Sequence, residues 1–318
     1  MVGKAISKIT IYPDSEHLSA GQSKIAEKSQ WHKENARYFP TKASDFEDLE
    51  KLAQDFIFKD AGPNQPILDK NDTVVTMGSC FADRWRKWLN ANGRGATYIN
   101  VPEGLNNSFA IRQYLEWALT GDRSSDAYWY DNDPNLGAYK WQPDSEQHKL
   151  LNHFRNTKAM VITFGIGEVW RDVETNGVFW RGVPALQYDP SKHKCISSTV
   201  EENVNNMKKI VELLKTHAGQ DKIIVFTLSP VPLNATFSNR PTMISDCVSK
   251  SILRVALDQF FNENTHKDVY YWPSFEMVRW VGGHTKIPTL FEDNTTRHVN
   301  HSIVKIIIDT FVSRFFRS

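Results

Sequence analysis

The chain of 318 residues has little cysteine, no long apolar run and no excess of charge of either sign. Its three cysteines, Cys80, Cys195 and Cys247, are too few and too scattered for a disulfide framework or a zinc knuckle. No run approaches the ~20 apolar residues that cross a bilayer, and the first residues lack the apolar core of a signal peptide. We therefore expect a cytoplasmic protein with no membrane span.

Charge and periodicity exclude further classes of protein. Lys and Arg together number 38 against 37 Asp and Glu, and no block of positive charge indicates a surface for nucleic acid or anionic lipid. The chain carries no internal repeat and no low-complexity segment. Its length provides ample material for a sizeable core.

Strand and helix patterns alternate from residue 73 onward. The patterns predict strands at 73–77, 96–101, 159–164, 222–229 and 269–272, and helices at 80–91, 108–119, 200–216, 243–262 and 303–316. This alternation is typical of an α/β protein with a doubly wound parallel sheet.

Two regions lie outside this alternation. Residues 1–70 are polar and interrupted by prolines, with one helix predicted at 46–56 and capped by Ser44-Asp45. We predict that they form an N-terminal extension packed on a main domain of residues 71–318. Residues 121–150 are rich in Asp, Pro, Gly and aromatic residues without clear periodicity, and because long insertions are often functional we predict a lid there.

One segment, Thr76-Met77-Gly78-Ser79-Cys80-Phe81-Ala82, places a small nucleophile between a strand and an amphipathic helix. Gly78 permits a sharp turn from strand to helix. Ser79 then lies at the helix N-terminus, where backbone N–H groups and the positive end of the helix dipole favour developing negative charge. Acyl transfer needs this arrangement, although a serine in this position also serves as an ordinary helix N-cap.

Other unusual segments also follow predicted strands, and ligands bind at the carboxyl ends of the strands in an open α/β sheet. These segments are 104–108, 163–170 and 229–232, and Asp293 and His298 precede the last helix. A serine early in the chain, with an aspartate and a histidine near its end, suits a nucleophile with its base and the group that orients the base.

Gly78-Ser79-Cys80-Phe81-Ala82 spells the signature of the GSCFA family, relatives of the SGNH (GDSL-like) hydrolases, and further motifs resemble that family in the same order. They are Asn107-Ser108-Phe109-Ala110-Ile111-Arg112, Thr163-Phe164-Gly165-Ile166-Gly167-Glu168-Val169-Trp170, Leu228-Ser229-Pro230-Val231-Pro232, Ser249-Lys250-Ser251-Ile252-Leu253-Arg254, Tyr271-Trp272-Pro273-Ser274-Phe275-Glu276, and Asp293 with Arg297-His298. The resemblance spans residues 73 to 305 and leaves out the first 70 residues.

The resemblance implies a flavodoxin-like three-layer α/β/α sandwich with a serine esterase or acyltransferase site. In that site Ser79 attacks the acyl carbon, His298 takes its proton and Asp293 orients the imidazole. The backbone N–H of Ser79 and an N–H of the second or third block hold the oxyanion. The residues implied around the oxyanion and the substrate are Gly78, Asn107, Gly165, Gly167 and Glu168.

The chain departs from the SGNH pattern at two places. The SGNH third block reads Gly-x-Asn-Asp, and the same positions here read Gly165-Ile166-Gly167-Glu168. The oxyanion amide of that block is therefore missing, and Asn107 is one candidate to replace it. In addition, Asp293 precedes His298 by five residues, where SGNH enzymes usually have three.

Alternatives stay open for several of these residues. Cys80 is a competing nucleophile, but one residue further into the helix its side chain is expected to point away from the pocket and to pack in the core. Asp293, His298 and His301 are of metal-ligating types, but isolated sets of this kind are usually not metal sites, and we expect neither a metal nor a cofactor.

Other side chains have both a functional and a packing interpretation. Glu168 either braces the nucleophile loop, which we favour, or holds a substrate hydroxyl. Lys250 and Arg254 are predicted on a solvated helical face or in a structural salt bridge. The candidates to line a sugar-sized pocket are Trp170, Trp180 and Arg181.

The sequence thus predicts a serine hydrolase or acyltransferase of the SGNH type. Its expected substrate is a short acyl ester, with acetyl the expected group, on a carbohydrate or other small molecule, and an acyl donor is a further expected partner. One alternative is a catalytically weak module that binds a glycan or a partner protein. Another is a scaffold whose first 70 residues recruit a partner.

Overall fold

The computed structural model describes residues 37–101, 106–122, 127–128, 144–179, 182–183, 185–292 and 294–317. Three predicted site residues, Asp293, Trp180 and Arg181, lie outside the described residues, as does most of the predicted lid at 121–150. The chain divides into two compact units, Met1–Thr41 and Lys42–Ser318. Within the described residues, the helices and strands belong to the second unit.

The elements of the second unit alternate much as the sequence predicts. The strands are β1 (Val74–Gly78), β2 (Ala96–Asn100), β3 (Ala127–Tyr128), β4 (Ala159–Phe164), β5 (Glu168–Asp172), β6 (Val178–Phe179), β7 (His193–Ser197), β8 (Ile223–Leu228) and β9 (Val269–Tyr271). The α-helices are α1 (Leu49–Leu52), α2 (Cys80–Ala91), α3 (Ser108–Thr120), α4 (Asp144–Asn156), α5 (Val200–Leu213), α6 (Thr242–Glu263) and α7 (His301–Phe315). Short 3₁₀ and π-helical turns are Ala43–Phe46, Ala53–Ile57, Ala185–Gln187, Leu214–Ala218, Glu276–Trp280 and Val281–Gly283.

Among the described residues, five strands form a parallel sheet in the order β2-β1-β4-β8-β9. From β1 the chain moves to β2 on one side, and the later strands follow on the other side, so the strand order reverses between β1 and β4. In the register of these two strands Gly78 lies opposite Thr163. The doubly wound parallel sheet is thereby confirmed, and its reversal point is where such folds bind ligands.

Helices cover both faces of this sheet. Successive side chains of a strand point to opposite faces, and here alternate residues enter two separate cores. Met160 and Ile224 face the core that contains α3, α5 and α6. Val161 and Val225 face the core that contains α2 and α7. This is the predicted three-layer α/β/α arrangement.

Three elements differ from the sequence-based predictions. Helix α4 lies where we expected the end of an aperiodic insertion, since its sequence is too polar to show a strong apolar face. A second sheet, in the order β3-β6-β5-β7, was not predicted because β3 and β6 have two residues each and the five-residue strands β5 and β7 show no clear alternation. The helix predicted at 46–56 is instead α1 between two short turns, and the cap of α1 is Asp48 rather than Ser44-Asp45.

The part of the chain just before β1 shares its core with the sheet. Leu49, Leu52 and Phe58 are buried in the same core as α2 and α7. The backbone N–H of Leu68 donates to the Phe315 carbonyl at 2.8 Å. These contacts hold the segment that enters β1 against the end of α7.

Candidate active site

The turn between β1 and α2 places Ser79 at the reversal point of the sheet. Ser79 is the N-cap of α2, and its Oγ accepts the Phe81 N–H at 3.3 Å. The same hydroxyl donates to the Oγ of Ser229, just after β8, at 3.0 Å. Ser79 is 5% exposed. The helix-cap role is thus present, and it holds the hydroxyl oxygen at the positive end of α2.

Gly78 makes this turn possible. Its φ of +118° is one that side-chain-bearing residues rarely adopt, and a Cβ there would lie 2.2 Å from the Thr163 carbonyl oxygen. The Tyr98 hydroxyl donates to the Gly78 carbonyl at 3.2 Å, and burial raises the pKa of Tyr98 to about 12. Glycine is therefore required at the point where the chain leaves β1.

We expect Gly78→Ala to lower the free energy of unfolding by about 3 kcal/mol, because it adds backbone strain to a clash with a neighbouring strand. Gly93→Ala is the matched control. Gly93 also has a positive φ, +70°, but open space around its Cα, so about 1 kcal/mol is expected. Urea unfolding of both variants measures the difference, and equal losses would contradict the proposed clash.

Four segments meet around Gly165, which follows β4. A Cβ on Gly165 would lie 3.3 Å from the Asn106 Cβ, 3.5 Å from the Ser229 Cβ and 3.7 Å from the Ser79 Cβ. These residues follow different strands, and the parallel sheet brings their carboxyl ends to one edge. The geometry therefore gathers the serine, an amide and a second hydroxyl at one point.

The backbone N–H groups of the third block are used within the protein. The Gly165 and Ile166 N–H groups both point to the Asn106 carbonyl, at 2.7 and 3.3 Å, and the Gly167 N–H donates to the Ser249 Oγ at 2.6 Å. A Cβ on Gly167 would lie 3.1 Å from the Ser249 carbonyl oxygen. Glycine at position 167 thus lets α6 approach closely. The Gly167 N–H points to α6 and not to a ligand.

Of the two consecutive asparagines, Asn106 is the one beside the serine. The Asn107 Oδ1 caps α3 by accepting the Ala110 N–H at 2.8 Å. Asn106 is buried, and its Oδ1 has no hydrogen-bond partner among the described residues. The sequence held a signal for this difference, since the residue directly before a helix is the one that caps it.

His298 lies on the loop before α7 and is half-buried. It lines a cleft of about 600 Å³ between α2 and the start of α7, which we call the α2/α7 cleft. The other lining residues are Cys80, Asp83, Arg84, Lys87, Trp88, Ala91, Asn92, His301 and Val304. Cys80, the residue after Ser79, lines this cleft, whereas the buried Ser79 is not among its lining residues. A shared proton between Ser79 and His298, with Asp293 behind the imidazole, stays a prediction.

The expected burial of Cys80 is wrong. Its side chain is exposed and lines the α2/α7 cleft. The inward face of α2 is formed by Phe81, Trp85 and Leu89, and residue 80 lies about 100° around the helix from Phe81. Cys80 is therefore a real rival to Ser79, to be separated from it by experiment.

Lys250 is not on a solvated face. It is 3% exposed, and its Nζ donates to the Gly165 carbonyl at 2.6 Å. Burial, the largest cause, lowers the pKa of Lys250 to about 8. Arg254, one turn later, donates to the Glu276 carboxylate at 2.7 Å, which confirms the structural salt bridge predicted as one of its two roles.

Glu168 and Trp170 lie on β5 beside the loop that follows β8. The Glu168 carboxylate accepts the Thr236 hydroxyl at 2.6 Å, so this bond braces the loop after β8 and not the nucleophile loop, where we expected it. Trp170 packs edge-on against Phe237 at 4.8 Å and Tyr188 at 5.7 Å between ring centroids. Phe237 and Tyr188 are exposed, and they extend the aromatic surface near Glu168.

Two arginines hold the loop after β8. Asp246 on α6 accepts the Leu233 N–H at 3.0 Å and binds Arg279 at 2.9 Å. Arg297, the neighbour of His298, donates to the Pro232 carbonyl at 2.9 Å. The segment that carries His298 is thereby fixed to the segment that follows Ser229.

Neither a metal cluster nor a spanning helix is found in the part of the chain that the structure describes. No group of three or more His, Cys, Asp or Glu residues there could hold a metal ion. No helix there is both long enough and apolar enough to cross a membrane.

The fold and the site define a class: α/β proteins whose doubly wound parallel sheet presents a serine hydroxyl at a helix N-terminus, where the strand order reverses. The model of the GSCFA family matches residues 73–311. The chain belongs to the GSCFA family. Membership supports a hydrolase related to the SGNH enzymes and leaves the acyl group and the substrate open.

Comparison with solved structures gives distant likenesses. The chain is similar to a carbohydrate esterase family 2 (CE2) enzyme with a carbohydrate binding domain from Corynascus thermopiles (Myceliophthora fergusii), with 12% identity and a TM-score of 0.37 over 79% of this chain and 68% of that chain. It is also similar to a GDP-L-fucose synthetase from Naegleria fowleri bound to NADP, with 11% identity and a TM-score of 0.28 over 67% of this chain and 52% of that chain. No curated protein sequence matches the chain. At these scores neither structure bears on the reaction.

Proposed function

We propose that this protein is a serine hydrolase or acyltransferase that removes or transfers a short acyl group, acetyl being the expected one, on a carbohydrate oxygen. One observation carries the proposal. Ser79 lies at the N-terminus of α2 and at the reversal point of the sheet, beside Asn106 and Gly165, and the α2/α7 cleft with His298 begins at the next residue.

In the proposed reaction the Ser79 hydroxyl turns from Ser229 to His298. His298 takes the proton as the Ser79 oxygen bonds to the acyl carbon, and the leaving oxygen receives that proton as its bond to the carbon breaks. Water or an acceptor hydroxyl then attacks the acyl-serine while His298 takes its proton, and Ser79 regains a proton when the acyl group leaves. Asp293 would orient the imidazole.

The oxyanion needs donors other than the third-block N–H groups, which are occupied. We assign this role to the backbone N–H groups at the start of α2 and to the side-chain amide of Asn106. The Phe81 and Ala82 N–H groups bind Ser79 itself, so the N–H groups of Ser79 and Cys80 are the ones assigned to the oxyanion, and Asn106 is buried beside Gly165, near Ser79. Asn106 thus takes the part that the resemblance suggested for Asn107.

The carbohydrate part of the proposal is supported by the α2/α7 cleft. Its volume of about 600 Å³ lies within the range of small-molecule sites. Trp88 lines it, with its indole N–H fixed to Asp309 at 2.8 Å. A flat apolar surface with polar side chains around it suits a sugar ring.

We expect Trp88→Ala to raise KM for an acetylated oligosaccharide about tenfold, with kcat nearly unchanged, because it removes a stacking surface worth about 1.5 kcal/mol. With p-nitrophenyl acetate, which has no sugar to stack, no change in KM is expected. Trp280, exposed and outside the cleft lining, is the control for loss of a surface indole. Equal effects on both substrates would contradict a sugar site in the cleft.

The proposed function is tested by acylation. The protein is incubated with p-nitrophenyl acetate, digested and analysed by peptide mass spectrometry, since Ser79 and Cys80 share one peptide and fragmentation separates them. We expect one acetyl group on Ser79 in the wild-type protein and the same adduct in a Cys80→Ser variant. Acetyl on Cys80 alone, or no adduct with unchanged turnover in Ser79→Ala, would reject the mechanism.

A second candidate is a glycan-binding module with little or no turnover. It is favoured by the occupied N–H groups of Gly165 and Gly167 and by the bond of the Ser79 hydroxyl to Ser229. A glycan array distinguishes the two, because binding that survives Ser79→Ala without turnover of any acetylated glycan selects the module.

A further inference from the structure

Helix α6 lies directly against the loop that follows β4 and binds it at two successive residues. Lys250 donates from Nζ to the Gly165 carbonyl at 2.6 Å, and the Ser249 Oγ accepts the Gly167 N–H at the same distance. Both bonds are buried. The loop beside Ser79 is therefore held from α6 by one cationic and one neutral contact.

A buried cation is a costly way to hold a carbonyl group. Removing an ammonium group from water costs several kcal/mol, whereas a neutral donor makes the same hydrogen bond more cheaply. The charged groups of the surrounding elements are Asp246 on the same helix and Arg279 and Arg297 from the segments packed against it, and α2 contributes the thiol of Cys80. The cation therefore lies close to the nucleophile turn, where buried charge usually has a function.

A chain of hydrogen bonds leads from this cation to the oxyanion site. Lys250 donates to the carbonyl of the peptide group that joins Gly165 to Ile166, and the N–H of that same peptide group, on Ile166, donates to the Asn106 carbonyl at 3.3 Å. The Gly165 N–H donates to the same Asn106 carbonyl at 2.7 Å, and Asn106 lies beside Gly165, near Ser79. Hydrogen bonds in such a chain polarise one another. A positive charge at its far end therefore both fixes Asn106 and favours negative charge near Ser79.

We propose that Lys250 is a positioning residue of this site: through Gly165 it holds Asn106 as oxyanion donor, and its charge replaces the amide that SGNH enzymes have where this chain has Gly167. The inference rests on the proposed function. It adds the residue that compensates for the oxyanion amide missing from the third block. The charged form of Lys250 is the active one.

The test compares Lys250→Met and Lys250→Arg with a matched control, Lys222→Met. Lys222 is equally buried, donates to the carbonyls of Phe154 and Thr157, and has its pKa lowered to about 8 mainly by burial. It precedes β8 at the opposite edge of the sheet. If both buried lysines only stabilise the fold, their replacement by methionine should have the same effect on kcat.

For acylation by p-nitrophenyl acetate we expect Lys250→Met to lower kcat about 30-fold with KM nearly unchanged. The loss is smaller than the 10²–10³-fold fall in kcat that follows complete removal of an oxyanion donor, because Asn106 itself is still present. Lys222→Met should keep kcat within threefold. In a Cys80→Ser background, which removes the thiol near Lys250, kcat should fall as pH rises through about 8. Lys250→Arg should shift this fall to higher pH.

Unfolding does not explain the expected alkaline fall. The pKa of Lys250 is about 8 in the folded protein and ordinarily 10.5, so between these pH values the unfolded chain binds more protons and this group makes the fold more stable as pH rises. Thermal melts at each pH verify this. Equal kcat in Lys250→Met and Lys222→Met, or an alkaline fall that Lys250→Arg leaves unmoved, would overturn the inference. If Ser79→Ala also keeps full activity, the proposed function itself fails.

Discussion

Ser79→Ala is expected to lower kcat/KM for p-nitrophenyl acetate by about 10⁴-fold or more, the largest effect of any single change in this chain. Removal of a nucleophile from a catalytic unit abolishes the covalent route, and the rest of the unit then adds little. In this structure the hydroxyl has no substitute at its own position, since Ser229, its bonding partner at 3.0 Å, lies at the end of another strand.

The alanine variant also removes a helix cap, which costs about 1 kcal/mol. Ser79→Gly separates the two roles, because glycine caps a helix almost as well as serine and has no hydroxyl. Both variants should lose activity alike, while Ser79→Gly melts close to the wild type. Cys80→Ser should keep acylation at Ser79. An active Ser79→Gly variant, or activity lost with Cys80 alone, would assign the nucleophile to the thiol.

Substitution of His298 by glutamine is expected to lower kcat for the same ester by about 10³-fold, since it removes the base proposed to take the Ser79 proton. KM should change little, because the imidazole acts on the proton and not on the bound acyl group. Single-turnover kinetics with excess protein would show the loss in the acylation step itself.

His301→Gln is the matched control for His298. Both histidines line the α2/α7 cleft and lie three residues apart, but His301 is exposed and packs edge-on against Trp88 at 5.2 Å. We expect it to keep kcat within threefold. Equal losses in the two variants would point to a binding role for the cleft and against a general base at 298.

Much of the architecture follows from local sequence patterns. The predicted boundaries of α2 match the observed ones because Gly78 and Ser79 give a turn and a cap, and Phe81, Trp85 and Leu89 give an apolar face. Strand β8 follows from its continuous apolar run, which is buried on both sides. These signals are contained within about a dozen residues each. The second sheet was missed because β3 and β6 have two residues each, and β5 and β7 mix charged and apolar residues without a clear alternation.

The site likewise has some features that local sequence determines and others that it does not. The sequence by itself determined the parallel α/β sheet, the serine at a strand-to-helix turn and the need for glycine before it, because each depends on backbone sterics and on periodicity along one segment. Only the tertiary structure decided that Asn106 rather than Asn107 lies beside the serine, that Cys80 is exposed and that Lys250 is buried under Gly165. Those facts depend on which elements pack together and on the direction in which each helix face points, and no single segment encodes either.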